Sequence, residues 1–334
     1  VQVLREGGNA FDATVAVASA ECITQTPMAG LGGEMFALLY ESSTRKLYGL
    51  SGSGKAPLAA SREYFASKGY EKMPVDGPLS ASVPGEVHAW HTILKRFGSR
   101  SLGDLIQPAI ALAENGTPIL PLMARHYTQQ LSKLIQFPLT VKLLTDNGNP
   151  LQSGHVVVQQ GLAESLRRIA EKGADEFYKG DLAKQFVDEI RSAGGIITID
   201  DMAGQDTIIY ESPPSTTYRG HRIFTTALPS QGYLMLELLN ILETFDIKKM
   251  GHNSPESIHT FVEAIKLIFA DRLAYVGDPD FISVPMDELI SKTFASIRSR
   301  EIDPAQANNA VAPGTLNLET DEGAKNTSYF CVVD

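Results

Sequence analysis

Near the end of the chain an asparagine precedes a threonine, Asn326-Thr327. There a polar run, Glu319 to Lys325, gives way to Ser328-Tyr329-Phe330-Cys331-Val332-Val333-Asp334. The β-branched and aromatic content of that last segment predicts a strand. Cleavage between Asn326 and Thr327 would leave Thr327 with a hydroxyl nucleophile and a free α-amine on one residue. A threonine's own N-terminal amine is one recognised base for activating its hydroxyl. The competing reading is structural, because an Asn-Thr pair ahead of a strand also serves as a turn. The pair alone leaves both open.

Other chemistry-bearing residues point to less. His88 and His91 stand three apart and share a helix face, with no third ligand candidate near them in sequence. The seven histidines form no H-E-x-x-H pattern, and Cys22 and Cys331 form neither a metal spacing nor a disulfide framework, so no metal is expected. Gly30-Leu31-Gly32-Gly33 follows a helix and precedes a strand. A nucleotide loop runs the other way, from strand through glycines to helix, so these glycines predict backbone packed close to backbone or substrate instead. The net charge of −10, with no basic run, argues against nucleic acid or an anionic membrane as partner. No apolar run approaches the roughly 20 residues of a membrane span.

The elements that must position these residues read as alternating helix and strand. With 334 residues the chain exceeds the usual single-core limit, yet no repeat or domain boundary stands out. Asn9 predicts a cap for a helix through Ala20 whose small residues suit burial. Strands are expected at Met35–Tyr40 and Lys46–Leu50, and helical sequence from 80 to 126, with Ser101 as a cap. Helices follow at Leu162–Lys172 and Gly180–Ala193, the second capped by Asp181. Ile196–Ile199 reads as a short strand or extended link, and Asp200-Asp201 as a cap for a short helix. Arg222–Thr226 reads as a strand and Leu234–Phe245 as a helix. His252-Asn253-Ser254-Pro255 opens another helix, in which Ile258, Phe261, Val262, Ile265 and Phe269 keep helical spacing to Tyr275. Asp271-Arg272 reads as a local pair. The polar stretch 303–325 is expected to be mobile.

Eight segments then resemble the γ-glutamyltranspeptidase family, in order along nearly the whole chain. They are Gly7-Gly8-Asn9-Ala10 with Asp12-Ala13; Gly30-Leu31-Gly32-Gly33; Pro84-Gly85; Gln107-Pro108-Ala109; Pro229-Ser230-Gln231-Gly232; Leu238-Leu239-Asn240-Ile241-Leu242-Glu243; Ala270-Asp271-Arg272 followed by Tyr275-Val276-Gly277-Asp278-Pro279-Asp280-Phe281; and Thr327 to Asp334. The resemblance implies an N-terminal-nucleophile hydrolase of α+β class. Its architecture is an αββα four-layer sandwich, two stacked sheets between helical layers, completed by a small subunit mostly absent from this chain. Such proteins are made as an inactive precursor that cuts itself. Matched residue by residue, Thr327 is the nucleophile and Asn326–Thr327 the scissile bond. Residues 1–326 are then an N-terminally truncated large subunit and 327–334 the start of the small one. The oxyanion glycines of the family lie beyond Asp334. The implied chemistry is acyl transfer or amide hydrolysis on γ-glutamyl or related acyl amides, with no metal or organic cofactor. The implied partners are the small subunit of the same precursor and a small-molecule amide.

The sequence departs from the family pattern in two places. Aligned on Ala56-Pro57, Ser53 stands where γ-glutamyl-specific members carry an Arg that pairs with the donor's α-carboxylate, a bidentate contact Ser cannot replace. Lys55, two residues on, either supplies a charge there or is a solvated loop lysine. The departure favours the glutaryl or cephalosporin acylase branch and keeps a non-catalytic relative in play. In addition, Ser328 and Tyr329 stand where the family often has Thr and His. The opening Val1 to Gly8 reads as a helix end, without an initiator Met or a signal-peptide pattern. The chain also closes inside a predicted strand, so both ends predict a piece of a longer protein. A mature large subunit would end at Asn326. A chain running on to Asp334 is expected to be an uncleaved precursor or pieces of both subunits joined.

Overall fold

The computed structural model describes residues 1–26 and 28–316. The predicted closing strand, with Asn326 and Thr327, lies outside the described residues, as does the end of the 303–325 stretch. The chain divides into two units. One comprises Val1–Met35 and Gly52–Thr207, the other Phe36–Ser51 and the chain from Ile208 on. Both mix helix and strand.

In the first unit, four helices start where a local side chain satisfies a free N–H group. Asn9 caps the Ala10–Thr24 helix through a reciprocal pair: its Oδ1 accepts the Asp12 N–H at 2.9 Å, and Asp12 accepts the Asn9 N–H at 2.8 Å. This helix buries one face only, through Asp12, Val15, Ser19, Cys22 and Ile23. Burial alone would raise the Asp12 pKa, but hydrogen bonds from Ser99, Asn9 and Arg100 more than offset this and hold it below the usual range. Helices Glu86–Phe97, Gln107–Asn115 and Gln160–Lys172 pack around it or one another through Trp90, Ile93, Ala109, Leu166 and Ile169.

Two predicted caps are corrected. Gly180, not Asp181, is the cap of Asp181–Ser192, and Asp181 instead accepts from Lys184 at 2.8 Å. Thr198, not Asp200-Asp201, caps Ile199–Ala203, with Asp201 as its reciprocal partner three residues on. In both cases the cap falls before the acidic residue, which then complements the positive helix start. Ile196 to Thr198 is an extended link without strand pairing.

The second unit holds a three-stranded sheet in the order Met35–Glu41, Lys46–Gly52, Ile208–Glu211. A four-residue connection between the first two leaves room only for a hairpin. The third runs antiparallel to the middle strand, with Leu50 opposite Ile209. A hairpin of Ser215–Tyr218 and His221–Phe224 follows, then helices Tyr233–Leu242, Pro255–Tyr275 and Lys292–Ser299. These helices share a core that includes Tyr233, Ile241, Leu267, Ile268, Leu289 and Phe294.

The long helix starts as its sequence predicts, with Ser254 accepting the Ser257 N–H at 3.1 Å ahead of Pro255. Its facing is unusual. Ser257, Thr260, Glu263, Ala264, Leu267, Ile268, Asp271 and Arg272 point inward, while Ile258, Phe261, Val262, Ile265 and Phe269 are exposed. Asp271 does not pair with Arg272. Adjacent helical residues point different ways, and Asp271 meets Arg298 at 2.9 Å instead.

Candidate functional site

Of the four residues singled out from the sequence, Asn326 and Thr327 lie outside the described residues, while Ser53 and Lys55 lie together just past the Lys46–Gly52 strand. Close backbone approach builds their surroundings. The Val83 N–H donates to the Lys55 carbonyl at 3.0 Å, and the N–H groups of Gly85 and Glu86 both donate to the Gly33 carbonyl, at 2.9 and 3.0 Å. A Cβ on Gly54 would lie 1.8 Å from the Val83 oxygen, and one on Gly85 1.9 Å from the Gly52 oxygen. Only glycine fits at either point. Gly33 therefore packs backbone on backbone, while a Cβ on Gly30 or Gly32 would meet nothing within 4 Å.

The loop delivers Glu34 to Ser53. The Ser53 hydroxyl donates to Glu34 Oε2 at 3.1 Å, the Ser82 hydroxyl to Oε1 at 3.2 Å, and the Gly54 N–H to Oε1 at 3.4 Å. The Ser53 carbonyl accepts from Gln205 Nε2 at 3.2 Å. Lys55 is exposed, and among the described residues no ion pair holds it. This corner thus presents a carboxylate, three donors turned onto it, and one unanchored cation. The sequence reading missed Glu34. Its only signal was adjacency to Gly33, and that loop was read for its glycines.

A second cluster, in the other unit, holds the chain that leads toward Asn326. Arg298 is 1% exposed and Asp271 0%. The Arg298 Nε donates to Asp271 Oδ2 at 2.9 Å. Its Nη1 donates to both Glu301 oxygens at 2.7 Å, and its Nη2 to the carbonyls of Leu267 and Ala312 at 3.3 and 3.0 Å. Asp271 Oδ1 accepts the Gly314 N–H at 2.6 Å, and the Tyr275 hydroxyl donates to the Gly314 carbonyl at 2.5 Å. A Cβ on Gly314 would meet Arg298 Cδ at 2.6 Å and Phe294 Cζ at 2.7 Å. Both backbone polar groups of Gly314 are gripped, and Leu316 is buried in the core two residues on. Glu237, fully buried, stands by this pair. Burial, and then the Asp271 charge, push its pKa up to about 10 against the opposing pull of Arg298.

His88 Nδ1 lies 2.8 Å from the Thr207 hydroxyl, and burial lowers its pKa. Among the described residues no group of three or more His, Cys, Asp or Glu side chains gathers as a metal site would need. Glu86 accepts from Trp90 Nε1 at 2.8 Å, and burial pushes its pKa up to about 7. Cys22 is buried, and its thiol is pushed up to about 12 by burial and by the Glu86 and Glu21 charges. Among the described residues no helix is long and apolar enough to cross a membrane.

Comparison with known proteins agrees with this fold. The chain is 37% identical over 334 residues to the glutathione hydrolase-like YwrD proenzyme of Bacillus subtilis, covering all of this chain and 61% of the relative. It superimposes on γ-glutamyltranspeptidase of Helicobacter pylori with a TM-score of 0.88 at 33% identity, covering 97% of this chain and 94% of that one. Against cephalosporin acylase of Bacillus halodurans the TM-score is 0.85 at 34% identity, covering 94% of this chain and 59% of that one. The chain spans about three fifths of the length of the curated relatives it matches. The α+β fold expected from the resemblance is the fold these structures share. The family model described as Gamma-glutamyltranspeptidase matches residues 1–334, and the chain belongs to the γ-glutamyltranspeptidase family.

Proposed function

We propose that the chain is the larger part of an autoprocessed threonine N-terminal-nucleophile acyltransferase or amidase. In the precursor the Thr327 hydroxyl attacks the Asn326 carbonyl, and the acyl group moves from nitrogen to oxygen. The shift breaks the C–N bond and frees the Thr327 amine, and water then hydrolyses the ester to release the Asn326 carboxylate. Held in place, such an attack has an effective molarity on the order of 10⁵–10⁸ M. The new α-amine, with a reference pKa of about 7.7–8.0, is partly neutral at pH 7 and takes the hydroxyl proton. Thr327 then attacks a substrate amide, and water or an amine resolves the acyl-enzyme. The remainder of the precursor supplies the small subunit and the oxyanion donors.

One observation carries the two-piece reading. The stretch matched here is 94% of one relative's chain in a solved structure and 59% of another's. The same length of polypeptide thus occurs both as a nearly whole chain and as part of a longer one. The test is a denaturing gel of the full-length precursor. A wild-type precursor splits in two near residue 326, and Thr327→Ala stays whole. Equal migration of the two as intact chains would end the proposal.

For the acyl donor, the corner at Ser53 favours amides outside the γ-glutamyl class. Ser53 supplies no positive charge, and its hydroxyl is committed to Glu34. A donor bearing a carboxylate at that point meets the Glu34 charge instead of a cation, with only the unanchored Lys55 to compensate. Identity does not separate the branches, at 34% to a cephalosporin acylase and 33% to a γ-glutamyltranspeptidase. Hydrolysis of γ-glutamyl, glutaryl and uncharged acyl anilides separates the readings. A strong preference for the γ-glutamyl anilide would overturn the argument from Ser53.

A further inference from the structure

The side chains gathered at Ser53 are turned to accept hydrogen bonds. An ionised carboxylate takes about four and gives none. Glu34 receives one on Oε2, from the Ser53 hydroxyl at 3.1 Å, and two on Oε1, from the Ser82 hydroxyl at 3.2 Å and the Gly54 N–H at 3.4 Å. Those donors are thereby spent. What the two hydroxyls have left is oxygen lone pairs, and Oε2 keeps an acceptor site of its own. Glu34 Oε2, Ser53 Oγ and Ser82 Oγ are thus three acceptors gathered round one negative charge.

That charge is not neutralised from within. Among the described residues no ion pair reaches Glu34, and Lys55, next to Gly54, is exposed and pairs with no carboxylate. The three contacts on Glu34, at 3.1–3.4 Å, are longer than the roughly 2.7–2.9 Å of a cation held on a carboxylate. Nor is the corner loose. The Gly33 carbonyl, beside Glu34, takes the N–H groups of Gly85 and Glu86, the Ser53 carbonyl takes Gln205 Nε2, and the Lys55 carbonyl takes the Val83 N–H. With the backbone on both sides of the carboxylate pinned in advance, a ligand has little left to order. A solvated surface carboxylate is ordinary. This one is fixed, exposed and without a counter-ion, at the place where the head group of a donor is expected.

We propose that the Glu34 corner selects amide donors whose acyl chain carries a primary ammonium. An ammonium has three N–H groups and no acceptor, which matches the acceptors of Glu34, Ser53 and Ser82. This rests on the acyl-transfer reading above, with Ser53 at the head-group end of the donor. Ser53 by itself only disfavours a carboxylate there, whereas the lone pairs turned toward the ligand name what replaces it.

Three p-nitroanilides and the full-length protein test it. The 4-aminobutyryl anilide ends in an ammonium, the glutaryl anilide in a carboxylate, and the butyryl anilide in neither. The 4-aminobutyryl anilide is expected to exceed the butyryl one in kcat/KM by about tenfold, chiefly through a lower KM. Added salt should shrink that ratio, because it screens an exposed pair. In Glu34→Gln the ratio is expected to fall to about one. It is taken within each variant, so any loss of folded enzyme cancels. A wild-type ratio of about one overturns the proposal. So does a high ratio that persists in Glu34→Gln, which places the cation elsewhere, or a glutaryl anilide cleaved as well as the 4-aminobutyryl one. Calorimetry with 4-aminobutyramide and butyramide reads the same preference where nothing is hydrolysed. Tighter binding of 4-aminobutyramide that needs Glu34, with no turnover, supports the corner and rejects acyl transfer. Hydrolysis that ignores the charge of the acyl chain rejects the corner and keeps acyl transfer. Equal binding of the two amides with no turnover overturns both.

Discussion

Replacing Arg298 with Met should cost this fold about 3–5 kcal/mol, the range for removing one partner of a buried pair. Arg298 is 1% exposed and Asp271 0%, so no solvent screening discounts the loss. Without the guanidinium, Asp271 keeps the Gly314 N–H and the neighbouring buried Glu237 carboxyl, but no cation. The carbonyls of Leu267 and Ala312 lose their donor as well. A domain's whole stability is about 5–15 kcal/mol, so the loss is a large share. Urea denaturation followed by far-UV circular dichroism measures it as a lower midpoint. Arg298→Lys should recover little, since one ammonium cannot reach Asp271, Glu301 and two carbonyls as the planar fork does. The double variant Asp271→Asn/Arg298→Met should lie closer to wild type than Arg298→Met alone, because it removes the stranded charge. A loss below about 1 kcal/mol for Arg298→Met would refute the reasoning, because that is the range of a solvated surface pair.

Three further outcomes follow from charges already placed. The Glu237 pKa is raised from 4.5 to about 10, so its contribution is fully present below the unfolded value and is lost as pH rises toward the folded one. Glu237→Gln removes that dependence, and its stability relative to wild type should rise by about 1.4 kcal/mol per pH unit between pH 6 and 8. Urea midpoints at three pH values check this, and a constant difference would contradict it. At the other corner, Glu34→Gln should raise kcat/KM for a glutaryl anilide by about tenfold or more, with little effect on an uncharged acyl anilide. Two like charges a few ångströms apart near a protein surface are worth about 1–4 kcal/mol. Ser53→Arg alone should fail to confer a preference for carboxylate-bearing donors over the uncharged anilide, because Glu34 captures the new guanidinium, whereas Ser53→Arg with Glu34→Gln should succeed.

What the sequence made legible was local. Helix starts at Asn9, Ser101 and Ser254 depend on side chains within three residues, and all three occur as read. The hairpin around Glu41 to Lys46 is local in the same way. The caps at Gly180 and Thr198 were misplaced by one to three residues, because an acidic residue suits both the cap and the first turn. Partners far apart in sequence left no trace. Asp271 looked committed to its neighbour until the fold brought Arg298 beside it, 27 residues away. Glu34 and Ser53 are 19 residues apart and meet only because the intervening hairpin returns the chain. The spacing of Ile258 to Phe269 announced a helix but not its facing, since periodicity records that a side is apolar and not what will cover it.

The seat of Gly314 also sets a radius. With Leu316 fixed in the core, ten residues remain to Asn326, and a fully extended chain covers at most about 36 Å over that length. The cleavage proposed between Asn326 and Thr327 would have to take place inside that sphere. Shortening the leash by a few residues shrinks the sphere without touching a single catalytic atom. Lengthening it costs little, since closure entropy grows only with the logarithm of loop length. Deletions and insertions between 317 and 325 should therefore be unequal in effect, and the imbalance would report how taut the chain is drawn at the moment of reaction.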